Sequence, residues 1–127
     1  MMTASGDFEI GLTPQADDDF EAGRMTIDKV YSGDLVGSGK GQMLSVRSAV
    51  EGSAAYVAIE RVSGTLHGKT GTFALQHSGV MSAGESELKV LIVPDSGTDR
   101  LSGLAGSMTI DVQNGKHSYE LVYRLGD

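Results

Sequence analysis

The sequence predicts an all-β fold, a closed eight-stranded antiparallel up-and-down barrel. Three observations lead there. Apolar residues recur at period two in short segments. Glycine fills 18 of the 127 positions while proline fills 2. No segment carries a sustained helical repeat. Glycine takes positive φ without steric cost, so glycines spaced between apolar segments read as tight turns between strands. Low-complexity coil would need more proline or long Gly/Ser runs, and neither is present.

The segments follow in order. Phe8, Ile10 and Leu12 alternate with Glu9 and Gly11 as a first strand. Residues 13–23 (TPQADDDFEAG) form an acidic loop, with at most a turn of helix over 14–23. Met25 to Leu35 is rich in β-branched and aromatic residues and closes on Ser32-Gly33-Asp34. Gly41 to Val50 follows, with Glu51-Gly52-Ser53 as its turn. Ala55 to Thr65, Gly71 to Met81 and Glu85 to Pro94 make the next three strands. Gly106 to Val112 leads into Asn114-Gly115, the strongest two-residue hairpin signal in the chain. His117 to Leu125 is the eighth strand.

An internal echo supports a meander. Leu66-His-Gly-Lys-Thr-Gly-Thr-Phe-Ala-Leu75 matches Leu101-Ser-Gly-Leu-Ala-Gly-Ser-Met-Thr-Ile110, and Leu35-Val-Gly-Ser-Gly-Lys-Gly41 is a looser copy. The shared feature reads as a hairpin turn. The intervening segments differ, so these are not solenoid repeats. Eight antiparallel strands without a covering helix leave two exposed edges, and closure removes them.

Strand parity then selects the interior. Met108, Ile110 and Val112 share one face of their strand, and the echo assigns the same face to Phe73, Leu75 and His77. Tyr119, Leu121, Tyr123 and Leu125 point inward on the last strand, and Leu88, Val90 and Ile92 on the sixth. For Ala55 to Thr65, Tyr56, Ala58, Glu60 and Val62 are favoured inward, against Val57, Ile59 and Arg61; a single bulge would reverse this. The inner face thus mixes large apolar groups with Tyr hydroxyls, an imidazole and a carboxylate. That is the composition of a small-ligand cavity, and an eight-stranded barrel either fills its interior with side chains or keeps room for one small ligand.

Composition excludes other classes. The formal charge is −7, against a nucleic-acid or anionic-membrane partner. There is no Cys, so disulfides and thiolate metal sites are absent. No apolar run is long enough to span a membrane. The opening MMTASGDFEI has neither a basic end nor an apolar core, so no signal peptide is expected and a cytoplasmic location follows. One domain fits the length.

Three stretches carry a family resemblance. Tyr56 to Gly79 (YVAIERVSGTLHGKTGTFALQHSG), Val93 to Gly106 (VPDSGTDRLSGLAG) and Ser5-Gly-Asp-Phe-Glu9 resemble blocks of a bacterial family of unknown function, DUF3224. More distantly, Tyr56 to Leu75 is similar to a hairpin of plant allene oxide cyclases, with Ser63, Gly64, Gly68, Gly71 and Leu75 in register. Dirigent proteins share that barrel. The resemblance implies an allene-oxide-cyclase-like, calycin-like barrel. Plant cyclases close a ring on an apolar substrate without a cofactor, by holding its conformation. Their polar catalytic groups do not align onto this chain, so none is carried over, and Glu60 stands where those enzymes carry a neutral residue, which argues against the same substrate.

Glu60 and His77 are the candidate catalytic pair. On consecutive inward-facing strands they could be cross-strand neighbours. A buried carboxylate beside an imidazole suits general acid–base work. The competing reading is a satisfied structural pair. Tyr31, Tyr56, Phe73, Leu75, Met108, Tyr119 and Tyr123 are the candidate ligand-binding residues. The tyrosines could donate to a carbonyl or enolate, or be core residues with rim hydroxyls. Asp17, Asp18, Asp19 and Glu21 lack EF-hand spacing and read as a solvated loop, or as a flexible lid. His67, His77 and His117 lack metal-ligand spacing, so no metal is expected. Gly37-Ser-Gly-Lys-Gly41 lacks phosphate-loop spacing, and no Gly-x-Ser-x-Gly elbow exists. Met25, Met43, Met81 and Met108 read as core filler.

Three functions compete. The first is a cofactor-free cyclase or isomerase acting on an apolar or carbonyl-bearing substrate in the lumen; a solid lumen would remove it. The second is a non-catalytic carrier of lipocalin type, although the lipocalin Gly-x-Trp signature is missing. The third is a homo-oligomeric structural module joined through the outer apolar residues Val57, Ile59 and Val122.

Overall fold

The computed structural model describes residues 1–16 and 23–126. Eight strands run β1 (Met2–Pro14), β2 (Gly23–Gly33), β3 (Leu35–Arg47), β4 (Ala54–Leu66), β5 (Lys69–Ser82), β6 (Glu85–Ile92), β7 (Ala105–Gln113) and β8 (Lys116–Arg124). Each pairs antiparallel with its neighbours, and β8 returns to β1, so the sheet closes in chain order. Among the described residues the only helical element is a single 3-10 turn, Asp99–Leu101. No helix there is long and apolar enough to cross a membrane.

Three expectations need correction. β3 begins at Leu35, six residues before Gly41, and the β2–β3 turn is only Gly33-Asp34. Leu35 to Gly41 is therefore strand, not a third turn of the echoed kind. Its alternate glycines lie on the inward face, where a Cβ would meet the β4 backbone at Gly37 and Gly41 and the Glu60 side chain at Gly39. The second echo is not a hairpin either. Residues 93–104 form a long link from β6 to β7 that folds along β5, with Val93 N–H donating to Ala74 O (2.9 Å) and Thr98 N–H to Thr72 O (2.9 Å). Leu101 and Leu104 from this link are buried and plug that end of the barrel.

The plug gives the barrel a closed end and an open end. Toward the closed end Leu35, Val62, Leu66, Phe73, Tyr123 and the two plug leucines belong to one apolar cluster. Toward the open end the inward positions become exposed: Leu12, Met81, Leu88 and Val112 face inward by parity but are open to solvent. The strands separate there. β6 and β7 pair only at Val90–Met108 and Leu91–Ser107, and β1 pairs with β8 only as far as Phe8–His117. The inward parity holds on β4, where Ala58, Glu60 and Val62 are buried and Val57, Ile59 and Arg61 are exposed. The acidic side chains Asp17, Asp18, Asp19 and Glu21 lie outside the described residues.

Candidate functional site

A buried polar cluster sits in mid-barrel. Glu60 is fully buried and accepts three hydrogen bonds. Lys29 Nζ and His77 Nε2 each lie 2.9 Å from its Oε1, and the Tyr31 hydroxyl donates to its Oε2. These residues come from β2, β4 and β5. The reach from β4 to β2 crosses β3 at Gly39, where a Cβ would stand 2.0 Å from Glu60 Oε2. A side chain at that position would expel the carboxylate. Lys29 Nζ also lies 4.6 Å from the centroid of the Phe8 ring.

The electrostatics follow from this geometry. Burial pushes the Glu60 carboxyl up, but the His77 hydrogen bond, the Lys29 charge and the Tyr31 hydroxyl outweigh it and hold the group below its ordinary value. Glu60 is therefore a carboxylate. Burial first, and the Glu60 charge second, push the Tyr31 phenol well above its ordinary value, so Tyr31 keeps its proton. Lys29 was outside the residues read as functional. Its signal in the sequence was a Lys on the inward parity of β2, between Ile27 and Tyr31.

The candidate ligand residues separate into two groups. Tyr31, Phe73, Leu75, Met108, Tyr119 and Tyr123 are buried and pack in one cluster, so they fill the lumen they line. Three of the four tyrosine hydroxyls are engaged within the protein. Tyr31 holds Glu60. Tyr119 donates to Ser32 O (2.9 Å) and accepts from Leu35 N–H (2.9 Å), clamping the β2–β3 turn. Tyr123 pairs with His67 Nδ1. Burial pushes the phenols of Tyr119 and Tyr123 up as well.

Tyr56 is different. It is half-buried at the open end, and its hydroxyl has no protein partner among the described residues. It lines a cavity of about 400 Å³ with Met25, Met43, Gly79, Met81 and Leu88. Three of the four methionines read as core filler thus line this mouth. A Cβ on Gly79 would stand 2.3 Å from Tyr56 Cε1, so the ring lies against the Gly79 backbone. Gly79 is the inward residue next to His77 along β5, and Tyr56 therefore stands between the cavity and His77.

His77 is itself 4% exposed. Its Nδ1 makes no hydrogen bond to another protein group among the described residues. Leu75 is fully buried on the closed side of His77, whereas Met81 is exposed on the other, and His77 itself does not line the mouth cavity.

The remaining histidines stand apart. His67 is at the β4–β5 turn, and His117 packs on Phe8 with ring centroids 5.2 Å apart. Among the described residues no three His, Cys, Asp or Glu side chains gather as metal ligands.

A family model described as "Protein of unknown function (DUF3224)" matches residues 4–123. The crystal structure of a protein with unknown function from the DUF3224 family of Shewanella oneidensis MR-1 is 42% identical, with a TM-score of 0.96. The match covers 100% of this chain and 98% of that one. No curated protein matches.

Proposed function

The chain belongs to the DUF3224 family, and from that premise we propose that the open end of the barrel binds one small, largely apolar molecule, with His77, behind Tyr56, as its acid–base group. The observation that carries this reading is the cavity of about 400 Å³ at that end, lined by Met25, Met43, Met81, Leu88 and Tyr56, with Arg47 and Glu87 also in its lining. Methionine is flexible and polarizable, so Met25, Met43 and Met81 suit an apolar ligand of irregular shape. Tyr56 offers the one free phenol beside it.

Glu60 is a positioning residue here. Its three hydrogen bonds leave it no approach to a ligand, but they fix the His77 ring and would stabilise an imidazolium, as a carboxylate does for a catalytic histidine. His77 could then remove a proton from carbon α to a carbonyl and return it at a second carbon. That is a cofactor-free isomerisation, the class of chemistry the cyclase-like barrel suggests. Where no proton moves, the same site is that of a carrier. Nile red fluorescence tests the binding step. The wild-type chain should bind the dye saturably. Met43→Arg should abolish binding while retaining the circular dichroism melt. Undiminished binding by Met43→Arg would refute the assignment.

A second reading concerns assembly. Leu44–Val57 and Val46–Ala55–Val80 are cross-strand rows on the outer wall of β3–β5, with Gln42–Ile59–Gln76 beside them. Val57 and Ile59 are each 54% exposed, and these rows carry no charge. A second copy is the partner this wall fits, because chains of charge −7 repel except through an uncharged, self-complementary patch. Val122 lies on β8, four strands away in either direction, and belongs to no such patch. Light scattering should give a dimer that Val57→Lys converts to monomer. A wild-type monomer at millimolar concentration would end this reading.

A further inference from the structure

We infer that the molecule taken by the open-end cavity is an apolar monoanion, a carboxylate on a hydrophobic body, with its head held by Arg47 at the rim. This rests on the ligand reading above and names the ligand's chemical class.

Strand register decides which charges face the cavity. Ser45, Tyr56, Gly79 and Leu88 lie opposite one another across β3 to β6 and form one inward row of its wall. Arg47, Ala54, Met81 and Ser86 form the next inward row, nearer the rim. Both rows line the cavity. The row between them is Val46, Ala55, Val80 and Glu87. Successive side chains of a strand point to opposite faces, so this row has its side chains on the outer wall. Glu87 therefore meets the cavity through its backbone. Its carboxylate lies outside, 3.9 Å from Lys89 Nζ. Glu9, Asp28, Glu85 and Asp111 on the neighbouring strands also have outward parity. In a chain of charge −7, the charged side chain turned toward this cavity is a cation.

Arg47 is exposed, and among the described residues it forms no ion pair. Ala54, directly opposite, is too small to cover it. Tyr56 is its diagonal neighbour across β3 and β4, within reach of a long side chain. The rim thus holds a guanidinium, which donates and never accepts, above a floor that includes Met25, Met43 and Leu88. Its complement is a negatively charged acceptor on an apolar body. One cation matches one negative charge, and a carboxylate meets the planar fork with two parallel hydrogen bonds. The net charge of the chain repels small anions, so the apolar body supplies the binding and the head sets its orientation. An ammonium head would meet a like charge at the rim.

The test uses three probes of one shape on the full chain: 2-naphthoate, 2-naphthol and 2-naphthylmethylamine, titrated by fluorescence at neutral pH and low salt. The naphthoate should bind about fivefold more tightly than the naphthol, the upper end of what an exposed ion pair contributes. The amine should bind more weakly than either. In Arg47→Gln, which changes an exposed side chain and should melt as the wild type does, the naphthoate preference should shrink to near one. Glu87→Gln should leave that preference unchanged. Equal binding of naphthoate and naphthol, or preference for the amine, overturns the anion class and leaves the cavity reading intact. So does a preference that survives Arg47→Gln or that grows in Glu87→Gln. Failure of all three probes to bind removes the cavity reading and this inference with it.

Discussion

The carboxylate of Glu60 occupies the place that a side chain on residue 39 would take, with its Oε2 2.0 Å from where a Cβ on Gly39 would stand. The glycine on β3 is what lets a β4 carboxylate reach Lys29 and Tyr31 on β2. Gly39→Ala should therefore cost about 1–3 kcal/mol, as overpacking does when the crowded group cannot give way freely. Urea unfolding measures this. The same variant should raise the Glu60 pKa, visible by carboxyl-carbon NMR. A neutral effect on both would mean the cluster tolerates rearrangement.

Lys29 neutralises a carboxylate that has no access to water. Lys29→Met leaves that charge unpaired and should destabilise the chain by about 3–5 kcal/mol. Adding Glu60→Gln to Lys29→Met should recover part of the loss, because the stranded charge is gone. Additive losses in the double variant would contradict the pairing.

Two of the shifted groups, Glu60 and Tyr31, set opposite pH limits. Glu60 has a folded value below its unfolded one, so its contribution is complete above the ordinary carboxyl range, near pH 4, and is lost as pH falls through the lowered value. Tyr31 has a folded value above its unfolded one, so the unfolded chain loses that proton first and stability falls once pH passes about 10. Melting temperatures across pH should fall at both ends. Glu60→Gln should flatten the acid limb. Tyrosinate absorbance should show Tyr31 ionising only as the chain unfolds.

Tyr56 and Gly79 face each other across β4 and β5, the ring lying where a side chain on residue 79 would be. Gly79→Ala should destabilise the wild type by about 1–3 kcal/mol but cost much less in a Tyr56→Ala background, a non-additive cycle expected of residues in contact. An additive cycle would place the Tyr56 ring elsewhere.

Strand number, order and inward parity were legible because alternation and glycine turns are local signals. Glu60 and His77 could be placed on one face by that parity alone. The β3 boundary was not legible. Gly37, Gly39 and Gly41 read as turn residues, yet their spacing of two is that of an inward strand face whose side chains are absent to make room. Lys29 was missed because a lone lysine in a strand is ordinarily solvated, and only its carboxylate partner two strands away shows otherwise. The plug of Leu101 and Leu104 was missed because a long link lying across a barrel end leaves no periodic mark. The division of the lumen into a filled end and an open one depends on that plug, so Tyr31, Phe73 and Tyr56 could not be told apart as core or cavity from sequence.

The most direct measurement is an NMR titration of the methyl-labelled, histidine-labelled chain with 2-naphthol. The account predicts saturable shifts at the Met25, Met43 and Met81 methyls and at the His77 ring, with Met108 in the packed core unmoved. Shifts at surface methyls alone, or none at His77, would contradict the assignment of the open end and His77 as one site.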